Sequence, residues 1–274
     1  MTDRYCVIGN PVAHSRSPDI HAMFARQTGQ QLVYERSLAP LDGFGATVHA
    51  LVQAGVRGAN VTVPFKLEAA ALALSLSARA RAAGAVNTLS FDSGEILGEN
   101  TDGAGLVADI LHNAHVQIAG KRVLLLGAGG AARGVVLPLL DEIPGQLIIA
   151  NRTPATADAL VARFAPQAAH SQQLASCAFA GIAGRFDIVI NATSASLAQD
   201  LPPVPADAFG PGTLALDMMY GKAPSRFMEF ASDHGAVARD GLGMLVEQAA
   251  EAFYVWRGVR PDTADVLSHV RAHL

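Results

Sequence analysis

The chain has 274 residues, 50% of them apolar and 16% charged, with a formal net charge of -4. That composition is enough to build hydrophobic cores for one large or two modest domains and excludes a globally disordered chain. The small net charge, with no run of five or more like charges, argues against a nucleic-acid surface or a polybasic membrane anchor and leaves a small molecule as the natural partner.

The first residues, "MTDRYCVIGNPVAHS", hold no apolar run behind a basic start, so no secretory signal is expected and a cytoplasmic protein is. "YCVIG" is a short apolar strand. After it comes a Pro/Ser-rich loop and a helix from about Pro18, with Ser17 as its cap. Ser15 and Ser17 thus sit two apart before a helix start, where hydroxyls and helix amides together suit a carboxylate. "LVYERSL" alternates as a strand, "LDGFGATVHALVQAG" is a helix with a glycine stop, and "GANVTVP" is a further strand. This β-α-β-α-β order predicts a parallel sheet, with Thr62 and Lys66 at the end of a buried strand, where open α/β sheets bind ligands. "LEAAALALSLSARARAAG" reads as one helix, and "AVNTLSFDSGEILGEN" as a hairpin turning at Asp92, Ser93 and Gly94. Asn87 lies in that hairpin, and Asp102 opens the helix "TDGAGLVADILHNA" that bridges to the next unit.

From Lys121 the pattern restarts. "RVLLLGAGGAARGVVLPLLDE", "QLIIANRT", "ATADALVARFA", "FDIVINATS" and "GTLALDMMY" alternate strand and helix as a doubly wound α/β domain does. Its most apolar window, Val123 to Leu140, contains Arg133, Pro138 and four glycines, which predicts a buried strand and helix rather than a membrane span. "GAGGAA" fits G-x-G-x-x-[GA] between that strand and helix. Gly127 permits the tight turn, Ala128, Gly129, Gly130 and Ala131 bring backbone to a pyrophosphate, and Ala132 is small enough for the helix to pack on the sheet. The next strand ends in Asn151, Arg152 and Thr153 where an acid would hold a ribose hydroxyl. A guanidinium there suits a 2′-phosphate, which an acid would repel, so the cofactor read from these residues is NADP. An arginine after a strand is otherwise a solvated loop residue. The chain ends in two helices, "LGMLVEQAAEAFYVWRGVRP" and "TADVLSHVRAHL", with Phe253 and Trp256 as core contacts. Cys6 and Cys177, far apart and without C-x-x-C spacing, read as buried apolar fillers in a reducing compartment, and the histidines show no paired spacing that would predict a metal.

"GNPVAHSRSP", "GANVTVPFK", "GAVNTL", "NTDGAG", "GAGGAARGV", "NRT", "DMMYG" and "DGLGMLVEQAAEAF" occur in order across nearly the whole chain, and together they resemble the shikimate dehydrogenase family. The resemblance implies an α/β enzyme of two α/β domains with a cleft between them: a substrate-binding domain with a mainly parallel sheet over residues 1–103, a Rossmann-type NADP domain over 104–240, and C-terminal helices, 241–274, returning to the first. It implies reversible NADPH-dependent reduction of 3-dehydroshikimate to shikimate. Ser15, Ser17, Thr62, Asn87, Tyr220 and Gln248 would hold the substrate, with Lys66 and Asp102 as the catalytic pair that also touches it. Gly127 to Ala131, Asn151, Arg152, Thr153, Thr156, Met218 and Gly241 would border the cofactor. The other readings are a dehydrogenase with relaxed use of quinate or NAD, and a noncatalytic binding regulator, which the presence of both Lys66 and Asp102 disfavours. Many relatives carry a second basic residue after the first. Here those positions are Pro154, Ala155 and Thr156, so the expected NADP preference is narrower than a two-arginine clamp would give. Oligomeric state is not legible in the sequence, a homodimer being one candidate assembly.

Overall fold

The structure, a computed structural model, describes residues 2–92, 94–170, 172–198 and 200–274. The chain divides into two compact units, one of Met1–Gly105 with Leu245–Leu274 and one of Leu106–Met244.

The first unit runs β1 (Asp3–Gly9), α1 (Ser17–Thr28), β2 (Leu32–Leu38), α2 (Phe44–Gln53), β3 (Gly58–Val61), α3 (Lys66–Leu72), β4 (Ser75–Leu76), α4 (Ala78–Ala83), β5 (Thr88–Asp92) and β6 (Glu95–Glu99). Its sheet has the order β2-β1-β3-β5-β6-β4. β1 pairs parallel with β2 and β3, β4 pairs parallel with β6, and β5 is antiparallel to both β3 and β6. The uninterrupted apolar run of β1 follows from burial on both faces. Cys6 and Ile8 point into a core with Phe44, Val48, Phe65 and Leu89, while Tyr5 and Val7 face Val12, Tyr34 and Trp256 on the other side. Each fully buried Phe here contributes about 1.5–3 kcal/mol. Burial also pushes the Cys6 thiol up to about 12, leaving it an inert filler. Cys177, by contrast, is only half-buried, which corrects the expectation that both cysteines are interior.

Two further sequence readings change in this unit. Ser17 is not the cap of α1 but its first residue, and Arg16 holds the cap position without a side-chain bond. The Ser15 hydroxyl instead accepts from the Ser17 N–H at 3.3 Å, an upstream side chain doing the work expected of Ser17. The long helix expected over "LEAAALALSLSARARAAG" is interrupted. The Leu74 N–H donates to the Ile96 carbonyl and the Ser77 N–H to the Gly98 carbonyl, so the chain between them joins the sheet as β4. Gly98 makes this possible, because a Cβ there would lie 2.8 Å from Leu76 and 2.7 Å from Val86. Ser77 then caps α4 by accepting from the Ala80 N–H. The hairpin β5–β6 forms, although Ser93 in its expected turn lies outside the described residues.

α5 (Asp102–Ala108) leads into one π turn, Asp109–Asn113, and the second unit. There follow β7 (Arg122–Leu126), α6 (Gly130–Asp141), β8 (Gln146–Asn151), α7 (Pro154–Phe164), β9 (Leu174–Ala178), β10 (Ile188–Asn191), β11 (Leu214–Asp217), α8 (Arg226–Asp233) and β12 (Val237–Arg239). β9, α8 and β12 are additions to the elements read from the sequence. The sheet order is β12-β11-β10-β7-β8-β9, parallel throughout. This is the doubly wound order with its switch point between β7 and β10, outside whose carboxyl ends a ligand crevice belongs. α6 buries Ala132, Val135, Val136, Leu139 and Leu140, a stripe at helical spacing that seats it on the sheet.

α9 (Leu242–Arg257) and α10 (Ala264–Ala272) end the chain, and from Leu245 onward they belong to the first unit. α9 lays Phe253 against Phe24 of α1, with ring centroids 5.8 Å apart, and the Trp256 indole N–H donates to the Leu89 carbonyl at 3.1 Å.

Candidate active site

In the first unit the chemistry begins at the carboxyl ends of β1 and β3. Thr62 continues β3 through its N–H to the Ile8 carbonyl, and its own carbonyl accepts from Phe65, a turn that sets Lys66 at the start of α3. Lys66 Nζ donates to Asp102 Oδ2 at 2.6 Å. The two are unequally covered, with side-chain exposures of 24% for Lys66 and 4% for Asp102, so the ammonium keeps an open side while the carboxylate is enclosed. The other carboxylate oxygen, Oδ1, accepts from Asn87 Nδ2 at 2.8 Å, and the same amide donates to Gln248 Oε1 at 2.8 Å. Asn87 Oδ1 accepts from the Thr101 N–H at 2.8 Å, so the amide is oriented from both ends. Lys66, Asp102, Asn87 and Gln248, drawn from α3, α5, the residue before β5 and α9, therefore form one hydrogen-bonded group.

A second strand of polar contacts reaches the Ser15–Ser17 loop. The Tyr34 hydroxyl donates to Asn60 Oδ1 at 2.7 Å, and Asn60 Nδ2 donates to Thr88 Oγ1 at 3.0 Å, next to Asn87. Burial pushes the Tyr34 phenol well above its ordinary range, opposed by a hydrogen bond with Ser17. The Ser15 and Ser17 hydroxyls are 3.2 Å apart, and Arg36 grips the Ser15 carbonyl with both Nε, at 3.1 Å, and Nη2, at 2.6 Å. Two hydroxyls beside a guanidinium suit a carboxylate, in a way Ser15 and Ser17 alone do less well. Tyr34, Asn60 and Arg36 are absent from the residues picked out in the sequence. Asn60, a polar residue inside the apolar strand "GANV", carries the one local signal that would have found them.

In the second unit a groove of about 680 Å³ lies along the carboxyl ends of β7, β8 and β10. Gly127 to Gly130, Asn151 and Arg152 line one part, and Ala192, Thr193, Ser194 and Ala195, which follow β10, line another. Gly127 has φ +102°, a conformation side chains avoid, and a Cβ on it would lie 3.2 Å from the Ala192 carbonyl oxygen. A Cβ on Gly129 or Gly130 would meet nothing within 4 Å, so the backbone there opens onto space at the start of α6. This cradle of bare backbone at a helix N-terminus fits a pyrophosphate. Arg152 is exposed, Asn151 Nδ2 donates to the Thr153 carbonyl at 3.0 Å, and Thr156 is exposed on the first turn of α7. Ala131 continues α6 from that cradle. Met218 donates its N–H to the Asn191 carbonyl at 3.0 Å, and Gly241 its N–H to the Met219 carbonyl at 2.9 Å, with no room for a Cβ on Gly241 beside the Met218 carbonyl. Tyr220 lies in this same unit, three residues past β11. The wall formed by Ala192 to Ala195 was not legible in the sequence, since a loop after a strand carries no pattern of its own.

The two ends of the chain and its middle match known families. Residues 7–89 match the shikimate dehydrogenase substrate binding domain, residues 109–199 the shikimate / quinate 5-dehydrogenase family, and residues 241–271 the shikimate 5'-dehydrogenase C-terminal domain. The chain is 64% identical to the shikimate dehydrogenase (NADP(+)) of Herminiimonas arsenicoxydans, over 100% of this chain and 99% of that one. The chain belongs to the shikimate dehydrogenase family. Its fold is that of solved relatives. It superposes with a TM-score of 0.93 and 48% identity on an Ael1 enzyme from Pseudomonas putida, over 98% of each chain. The TM-score is 0.88, at 33% identity and full coverage of both chains, against the shikimate 5-dehydrogenase of Thermus thermophilus in complex with NADP(H) and shikimate. The two-domain α/β fold matches that of these solved structures. Among the described residues no helix is long and apolar enough to cross a membrane.

Proposed function

We propose that this protein is an NADP-dependent shikimate dehydrogenase, interconverting shikimate and 3-dehydroshikimate in the synthesis of aromatic amino acids, in the cytoplasm, where its two free thiols suit a reducing environment. The observation that carries this reading is the Lys66–Asp102 contact at 2.6 Å, with the carboxylate enclosed and the ammonium open on one side. Bound NADP supplies the hydride acceptor, and NADPH the donor. The protein's task is the proton that accompanies the hydride. Lys66 exchanges this proton at Nζ with the substrate oxygen. Asp102, fixed through Oδ1 by Asn87, aims Lys66 through Oδ2 and accepts from the substrate hydroxyl. Ser15 and Ser17 take the substrate carboxylate, Arg36 adding positive charge behind them, while Thr62 and Gln248 complete this unit's contacts to its polar groups. The glycine turn takes the pyrophosphate and Arg152 the 2′-phosphate, with Asn151, Thr153 and Thr156 beside it and Met218 and Gly241 near the nicotinamide.

Replacing Lys66 by Ala tests the assignment. Loss of a positioned acid–base group lowers turnover by roughly 10²- to 10⁴-fold, with the KM for shikimate changed much less. Near-normal turnover with only a raised KM would remove Lys66 from the proton transfer. A relaxed enzyme that also takes quinate or NAD is the second reading, and the absence of a second cation at Pro154, Ala155 and Thr156 favours its use of NAD.

A further inference from the structure

We propose that Asp217 is a positioning residue for dinucleotide binding, a carboxylate that ties the loop after β10 to the loop after β11 and so sets the wall of the cofactor groove. The inference rests on the NADP reading of that groove.

Asp217 closes β11 and is fully buried. A carboxylate in such a place is costly unless hydrogen bonds replace its water. Among the described residues none forms an ion pair with it, and its partners are neutral donors from three separate segments. The Ser196 hydroxyl donates to Oδ2 at 2.5 Å and the Ser225 hydroxyl to the same oxygen at 2.6 Å. The Met219 N–H donates to Oδ1 at 3.0 Å. Ser196 in turn accepts from Asn191 Nδ2 at 3.1 Å, and Asn191, also fully buried, has its Oδ1 occupied by the Thr193 N–H at 3.1 Å and the Thr193 hydroxyl at 2.7 Å.

Both loops tied by this cluster belong to the candidate cofactor site. Thr193, with Ala192, Ser194 and Ala195, lines the groove opposite Gly127 to Gly130. There is no slack between the two walls at their base, since a Cβ on Gly127 would lie 3.2 Å from both the Ala192 carbonyl oxygen and Thr193 Cγ2. A small outward or inward shift of the β10 loop therefore changes the cradle directly. On the other side, the carboxylate fixes Met219, whose neighbours are Met218 and Tyr220. An apolar side chain at position 217 would fill the volume at less desolvation cost but would hold neither loop. A buried carboxylate held at this junction by neutral donors from both loops is what a positioning role requires.

The inference is tested with Ser196→Ala, which removes one donor to Asp217 and the acceptor of Asn191 Nδ2 without touching the apolar core, and with Asp217→Asn in parallel. NADPH binding is followed by its own fluorescence, and initial rates are measured with shikimate against NADP and NAD. Ser196→Ala is expected to weaken NADPH binding about tenfold, which is ~1.4 kcal/mol, and to raise the KM for both dinucleotides together. The ratio of the two KM values should stay within about threefold, because Arg152 lies on a different loop, and kcat at saturating NADP should fall less than about fivefold. NADPH binding within threefold of the wild type in both variants would overturn the inference. So would a uniform fall in kcat and rise in the KM for shikimate with unchanged cofactor KM, the mark of a general structural fault. A wild-type protein that neither binds NADPH nor oxidises shikimate would defeat the underlying reading, and the inference with it.

Discussion

The NADP preference proposed above rests on Arg152. It follows β8, where a dinucleotide's adenosine ribose lies in a doubly wound domain, and Asn151 rather than an acid ends the strand. A charge-assisted contact with a 2′-phosphate contributes roughly 1.5–3 kcal/mol, about ten- to 150-fold in affinity. The guanidinium is exposed and without a second cation at the next three positions, so solvent screening places the effect toward the tenfold end. Arg152→Ala should raise the KM for NADP by about that factor and leave the KM for NAD nearly unchanged. Equal effects on both, in initial-rate measurements, would detach Arg152 from the 2′-phosphate. At this scale the sequence marks the positions that lie on a motif, as Gly127, Lys66 and Arg152 do. It is silent where the role depends on a partner distant in the chain. Arg36 gains its meaning only by reaching the Ser15 carbonyl, and Tyr34 by reaching Asn60.

Elements were legible where period and punctuation agreed. β1, β7, α6 and α9 carry long apolar patterns and bounding turns, and they form as read. The alanine-rich segment after Lys66 misleads because helix propensity outweighs a two-residue strand whose reason is the bare backbone of Gly98 opposite. β9, "LASCA", lies at a sheet edge and after Leu174 holds only small residues, so it shows no alternation to find. α1 illustrates how an element's packing constrains chemistry. It buries His21 with Ile20, Phe24 and Ala25, and the imidazole stacks on Tyr34 with ring centroids 4.2 Å apart. Burial drives its pKa from 6.5 down to about 3, against a weaker opposing pull from the Asn60 side chain. Folded His21 thus stays neutral, while the unfolded chain takes up a proton below about pH 6.5. Stability conferred by α1 packing is therefore present above the unfolded value and declines as pH falls toward the folded one, by ~1.4 kcal/mol per pH unit once well below 6.5. In denaturant titrations, His21→Phe should lose roughly 2 kcal/mol less than the wild type between pH 7 and pH 5. Parallel profiles for the two proteins would contradict a buried neutral histidine.

For the whole molecule, composition excluded more than it assigned, and the order of the motifs along the chain did the assigning. Two α/β units were expected and two are present, the first built from both ends of the chain because α9 and α10 join residues 1–105. That return places Gln248 against Asn87, 161 residues away, a contact no local pattern announces. The Lys66–Asp102 pair is likewise assembled from α3 and α5, and the Asp217 cluster from loops after β10 and β11 and the start of α8. The central claim is that these groups serve NADP-linked oxidation of shikimate. Initial rates of the purified protein with shikimate and with quinate, each with NADP and with NAD, test it most directly. Shikimate with NADP should give the highest kcat/KM, with NAD lower by about tenfold and quinate lower still. Equal rates with quinate, a preference for NAD, or no oxidation of shikimate with either dinucleotide would contradict it.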